Sequence, residues 1–263
     1  MNRGKHMIQH IPENKKISPN LLFFLIYSVQ IGIGILGFQR IIAKEAGYDA
    51  WISIIISGIS VHILLSIIFK MLEIANGDIY SVHQYVFGKY IGNVLSFIFI
   101  FYVSLFPVNV LRSYIDVVQS WMFPELKTFW FALAFLILCL YIIGGGFRTV
   151  TGISFFSIVL SSYVLFLFFP TFQYIDFKNL TPVFEHSLKD IIYGSYYFSF
   201  SILGFDTLLF FYPFLQKPKQ SKKWGHLAVF CVTLTYLYLA INTFIYFPEA
   251  ELEKQIWPTL TMW

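Results

Sequence analysis

Two short stretches hold the residues whose types could do chemistry inside an otherwise apolar chain. Residues 32–40 read GIGILGFQR and residues 202–206 read ILGFD, so ILGF occurs twice. Gly32, Gly34 and Gly37 place three helix-weakening residues within six positions, and Gly204 weakens the second stretch. Lipid-exposed backbone cannot leave N–H and C=O groups unpaired, so an interruption at membrane depth is tolerated only where it lines a cavity or a protein interface. Half-helix N-termini then offer partial positive charge to a carboxylate, while half-helix C-termini and free carbonyls suit an ammonium group or a cation. An amino acid presents both charges. Asp206 adds a carboxylate inside a span, where a charge costs about 2.5–3.5 kcal/mol on insertion scales and is a functional candidate by default. The pattern predicts a ligand site drawn from Gly32, Gly34, Gly37, Leu203, Gly204 and Asp206. Close packing of small residues is the alternative for the glycines. A carboxylate that merely holds the break in shape is the alternative for Asp206.

Other polar and aromatic groups are weighed against the same background. Tyr102 and Phe106 stand four apart on a predicted helix, followed by Pro107, and are candidates to line the same cavity; packing is the plainer reading of an aromatic stripe. Arg112 and Asp116, also four apart, are expected to pair with each other. His62 reads as a lone histidine satisfied at a helix interface. Cys139 and Cys231 fall inside predicted spans, where isolated thiols behave as small apolar residues, so neither a disulfide nor a metal site is suggested. No nucleophile–base constellation, phosphate loop or dinucleotide fingerprint is present, since GIGILG follows no strand. The reading is a binding protein rather than an enzyme, with no cofactor.

These groups must be positioned by membrane-spanning helices. The 263 residues are 57% hydrophobic, 21% aromatic and only 12% charged, and the mean hydropathy is +0.69. That composition excludes an ordinary soluble domain. Seven apolar runs are long enough to span, at roughly 20–42, 50–71, 93–118, 128–145, 150–170, 190–215 and 224–247. No apolar run precedes Asn20, so no cleavable signal peptide is expected. With the N-terminus inside, one side collects Arg3, Lys5, Lys15, Lys16, Lys70, Lys89, Arg148, Lys217, Lys219, Lys222 and Lys223; the other has Arg40, Lys44, Lys127, Lys178, Lys189 and Lys254. The positive-inside rule favours a cytoplasmic N-terminus. The net charge of +4 needs no nucleic-acid partner. The stretch 73–90 reads as a cytoplasmic amphipathic loop that lies on lipid, docks a partner or is simply solvated.

Five spans separate the starts of the two ILGF copies, so the second runs through the membrane in the opposite direction. An inverted repeat of five helices, each half beginning with an interrupted helix, is how many secondary transporters build a site. The expected fold is therefore an all-α integral membrane protein. A tail at 1–19 precedes a first repeat at 20–170, an extracytoplasmic loop at 171–189 and a partial second repeat at 190–263. If the repeats are equal in length, helices eight to ten are expected to be missing and the second half truncated after about two helices.

In the order and spacing of GIGILGFQR, GKYIG at 88–92, NLTPVF at 179–184, SFSILGFDTLLFFYPF at 199–214 and IWPTL at 256–260, the chain resembles the spore germinant receptor B subunits. These belong to the amino acid, polyamine and organocation transporter superfamily. The family usually has Pro where this chain has Gln39 and often Glu where it has Asp206; Tyr102 matches a usual tyrosine. The resemblance implies a leucine-transporter-like fold and a membrane subunit of a nutrient sensor in the spore inner membrane. Similar proteins bind a small germinant, often an amino acid, and act with an A subunit and a lipoprotein C subunit. An amino acid permease working by alternating access is the alternative, because both functions need the same broken helices.

Overall fold

The structure is a computed structural model that describes residues 11–164, 166, 173–181 and 184–262. Arg3 and Lys5, Pro182 and Val183 of NLTPVF, and most of the predicted fifth span beyond 164 lie outside the described residues. Helices dominate: α1 (Leu21–Gln30), α2 (Phe38–Ala46), α3 (Ala50–Ala75), α4 (Ile79–Trp121), α5 (Thr128–Gly144), α6 (Phe147–Ser161), α7 (Leu188–Ser199), α8 (Leu208–Phe211), α9 (Pro218–Tyr246), α10 (Glu249–Leu252) and α11 (Pro258–Thr261). Among the described residues, extended pairing is limited to one isolated parallel bridge between Ile17 and Leu215. Among the described residues, four helical stretches are long and apolar enough to cross a membrane: Phe38–Ala75, Ile79–Trp121, Phe147–Val164 and Pro218–Tyr246. Leu21–Gln30 and Thr128–Gly144 are apolar but shorter. The molecule is an all-α membrane protein.

The chain divides into two compact units. The first comprises Met1–Leu22, Ser66–Gly152 and Thr207–Lys222; the second comprises Phe23–Leu65, Ile153–Asp206 and Lys223–Trp263.

Within the first unit, α4 corrects one expectation. The stretch read as an amphipathic loop is helical from Ile79, with Asp78 as N-cap accepting from the Ser81 N–H and hydroxyl, both at 3.0 Å. Gly88, at φ +76°, reverses the chain locally, a conformation open to glycine and costly for other residues. The segment before Gly88 then packs against the one after it: His83 bonds Ser96 at 2.9 Å, and Gln84 donates to Asn93 at 3.0 Å. A Cβ on Gly92 would stand 2.9 Å from the His83 carbonyl, so GKYIG supplies one glycine for the turn and one for the close approach.

The second unit has its core along α9. Ala228, Val232, Tyr236, Leu239, Ala240, Thr243 and Phe244 are all buried and recur at three- and four-residue spacing, one face of a helix. Serines stitch α3 to α7. Ser53 donates to the Ile191 carbonyl at 2.7 Å, Ser57 to the Ser195 carbonyl at 3.1 Å, and Ser195 back to the Ser53 carbonyl at 3.1 Å. Gly194 faces Ser53 so closely that a Cβ would meet its hydroxyl at 2.6 Å. Small residues and hydroxyls at a helix pair are how membrane helices approach without a hydrophobic driving force. Ahead of α7, buried Asp49 accepts from the Phe184 N–H at 2.7 Å and the His186 N–H at 3.1 Å, tying the end of the α2 segment to the loop that starts α7.

Candidate site at two helix breaks

Both ILGF stretches interrupt a helix. After α1 the last regular bond runs from the Ile31 N–H to the Tyr27 carbonyl at 3.0 Å. Gly32 is then extended, Ile33–Leu36 form a single 3-10 turn, and α2 starts at Phe38. After α7 the chain passes through turns at Ser201 and Ile202 to Gly204, at φ +121°, and on to a 3-10 turn at Phe205–Thr207. Each interruption frees carbonyl groups, and in the second unit the two sets lie together.

One hydroxyl spans both breaks. Tyr236 Oη is 2.7 Å from the Ser201 carbonyl oxygen and 3.1 Å from the Gln30 carbonyl oxygen, so its one proton serves two acceptors. The ring is fixed by edge-to-face contacts with Phe38 at 4.8 Å and Phe198 at 5.1 Å, and all three side chains are fully buried. Gln30 Nε2 donates to the Ile202 carbonyl at 2.7 Å, which fixes the amide orientation and turns Oε1 away from that bond. On the far side of the first break, Thr259 of α11 donates to the Ile35 carbonyl at 2.9 Å and accepts from Gln39 Nε2 at 2.7 Å. Because the Thr259 proton is committed to Ile35, the Gln39 amide is oriented too. Among the described residues, Gln30 Oε1 and Gln39 Oε1 are buried with no hydrogen-bond partner. The balance is one of surplus acceptors, which is complementary to a ligand or ion that donates.

The expected site residues have distinct places. A Cβ on Gly34 would lie 3.3 Å from Ser201 Cα and Oγ, so this glycine lets the first break touch the second. Gly204 does the same in reverse: a Cβ there would lie 2.6 Å from Val29 Cγ1 and 3.0 Å from its carbonyl carbon. Gly37 admits the Ile256 carbonyl, which a Cβ would meet at 2.8 Å, with the Trp257 ring beside it. Gly32 has open space, 3.9 Å from the nearest atom. Breaking and close packing, set against each other from sequence, therefore occur together at Gly34, Gly37 and Gly204. Asp206 accepts from the Gly204 N–H at 3.1 Å and shapes the second break; Leu203 lies within that turn.

Tyr102 and Phe106 belong to the first unit, edge-to-face at 5.3 Å and both exposed. Arg112 and Asp116 pair at 3.2 Å on the exposed side of α4. His62 departs from the lone-histidine expectation, because its Nδ1 lies 2.9 Å from Nδ1 of His226. Sequence reasoning missed Gln30, Tyr236 and Thr259. A glutamine ending an apolar helix was the one available signal; a tyrosine in α9, a chain rich in aromatics, carries none.

The comparisons with known proteins identify the family. The family model described as spore germination protein, the spore permease family, matches residues 16–263. Spore germination protein GerQB of Bacillus cereus is 46% identical over 255 residues, covering 97% of this chain and 71% of the relative. Spore germination protein B2 of Bacillus subtilis is 25% identical over 90% of this chain and 65% of the relative. Spore germination protein A2 of the same organism is 23% identical over 90% of this chain and 66% of the relative. The chain thus spans about two thirds of the length of such relatives. A match over nearly every residue, together with a close relative of the same description, makes this chain a member of the spore permease family of spore germination proteins.

Proposed function

We propose that this chain is the membrane subunit of a spore nutrient-germinant receptor and binds a small, amino-bearing germinant where its two broken helices meet. The observation that carries the reading is the acceptor surplus there: two buried amide oxygens without donors, and one Tyr236 proton shared by carbonyls of both breaks. An ammonium group supplies three donors and a positive charge. Asp206, adjoining the second break, supplies the compensating anion. In the full reading the fold is a leucine-transporter-like inverted repeat, the N-terminus is cytoplasmic in the spore inner membrane, and A and lipoprotein C subunits complete the receptor. The names of the relatives support spore germination; the ligand and partners are part of the proposal.

Asp206→Asn tests it by keeping shape and removing charge. Spores carrying the variant are expected to hold normal amounts of the protein, by immunoblot of spore membranes, while the half-maximal amino acid dose rises about tenfold, equivalent to about 1.4 kcal/mol. Reduced abundance with an unchanged dose would show that the carboxylate only shapes the turn. Uptake of labelled amino acid into vesicles containing this protein alone favours the permease reading instead. Orientation is checked with a cysteine at exposed Gln220, since the neighbouring Ser221 is buried. Labelling from outside the cell by an impermeant reagent would overturn the N-inside assignment.

A further inference from the structure

We propose that the pocket between the end of α3 and the start of α9 binds the headgroup of an anionic phospholipid, a phosphodiester that carries hydroxyl groups. The pocket holds about 480 Å³, lies within the first unit and is lined by Glu73 and Asn76, by Tyr212, and by the first turn of α9 with Lys217 and Lys219. Small-ligand sites occupy about 300–1,000 Å³. The ends of the two helices set its depth. The apolar stretch Phe38–Ala75 stops one residue before Asn76, and the stretch Pro218–Tyr246 begins beside Lys217, so the pocket opens where hydrocarbon gives way to headgroups. Asn76, at φ +51°, closes α3, with the Gly77 N–H returning to the Leu72 carbonyl at 3.3 Å.

Tyr212 is the residue that points to a ligand. It is only 8% exposed, it lines the pocket, and its ring packs edge-to-face on Phe69 at 6.3 Å. Among the described residues its hydroxyl has no hydrogen-bond partner. Buried polar groups are otherwise hydrogen-bonded, so a hydroxyl left to the pocket is a donor that a ligand oxygen completes.

The other groups set the charge of that ligand. Pro218 has no N–H, and the Gln220 and Ser221 N–H groups both return to the Lys217 carbonyl at 3.0 Å. The Lys219 N–H is therefore left without a partner among the described residues, at the positive end of a 29-residue helix. Lys219 Nζ lies 3.6 Å from the Glu73 carboxylate, and Lys217 has no carboxylate within 4.0 Å among the described residues. Two lysines and one carboxylate leave one net positive charge, which a monoanionic phosphodiester neutralises. Glu73 accepts hydrogen bonds and cannot donate, so it opposes the phosphate and suits a headgroup hydroxyl. A phosphatidylglycerol headgroup meets both demands, with phosphate for the donors and hydroxyls for Glu73. A choline headgroup brings a cation beside the lysines and no hydroxyl.

The test is native mass spectrometry of the whole protein in detergent, titrated with phosphatidylglycerol, phosphatidylcholine or phosphatidylmethanol, the last an anionic phosphodiester without headgroup hydroxyls. Phosphatidylglycerol is expected to bind about tenfold more tightly than phosphatidylcholine, and Glu73→Gln to erase its advantage over phosphatidylmethanol. Tyr212→Phe breaks no hydrogen bond within the protein, so the variant is expected to fold and to bind phosphatidylglycerol about tenfold more weakly. Lys217→Gln, at an exposed position, is expected to weaken it about fivefold. Lys222→Gln removes the same charge from an exposed position outside the lining and should change binding by less than about twofold. Equal losses at Lys217 and Lys222 would reduce the effect to diffuse attraction and overturn the site, as would unchanged binding in Tyr212→Phe or equal affinity for phosphatidylcholine. Displacement of the lipid by inorganic phosphate at equal concentration would overturn the lipid assignment in favour of a free-phosphate site.

Discussion

The two helix breaks are built from the same four letters but held by different means. The first, at 31–37, is a gap between regular helices whose backbone stays in ordinary regions: Gly32 is at φ −106° and Gly37 at φ −136°. Its freed Ile35 carbonyl is satisfied from outside by Thr259, and Gln39 completes that chain. The second, at 200–207, passes through Gly204 at φ +121°; its Ser201 and Ile202 carbonyls accept from distant Tyr236 and Gln30, and its Gly204 N–H is held from within by the Asp206 carboxylate. Both breaks thus draw on distant donors, and the second adds the conformational freedom of a single glycine and a local anion. Similar sequence does not impose a similar mechanism, because the freed polar groups of a broken helix take whatever donors the tertiary structure brings.

The sharpest way to break this comparison is Gly204→Ala. A Cβ at that φ is strained and also collides with Val29, so the second break should lose about 3 kcal/mol or more, read as a lower Tm of the purified protein. A wild-type Tm would mean that the positive φ is not needed. Tyr236→Phe comes next: it keeps the ring between Phe38 and Phe198 but leaves two buried carbonyls without a donor, at a cost of about 1–3 kcal/mol. Its loss should loosen both breaks together, with amide exchange rising at Gly34 and at Gly204. Exchange rising on one side alone would show that the hydroxyl serves one break.

Thr259→Val sharpens the asymmetry. The isosteric methyl cannot donate to Ile35 or accept from Gln39, so about 1–2 kcal/mol is lost, with faster exchange confined to the first break. Equal exchange at Gly204 would contradict local support. The smallest effect belongs to Gly32→Ala, where the extended backbone and open space accept a methyl, and the change in stability should fall within about 0.5 kcal/mol. A large loss there would mean that the first break needs a backbone freedom its φ does not reveal.

The sequence by itself determined the membrane class, the places where the helices break and the weakness of each break. Apolar run length, lysine distribution and glycine position are local properties that lipid reads directly. It marked Asp206 and the glycines without deciding between packing and binding, since a glycine serves either until its neighbour is known. Tertiary structure decided the neighbours. Ser201 faces Gly34, Val29 faces Gly204, and the Tyr236 hydroxyl falls between two carbonyls whose parent residues are 171 positions apart. The same holds for His62, which reads as solitary along α3 and meets His226 where α3 and α9 approach closely at Gly58. A freed carbonyl or a half-buried imidazole announces a need that is visible in one dimension. Which group meets it depends on contacts between distant parts of the chain, and no local spacing encodes those contacts.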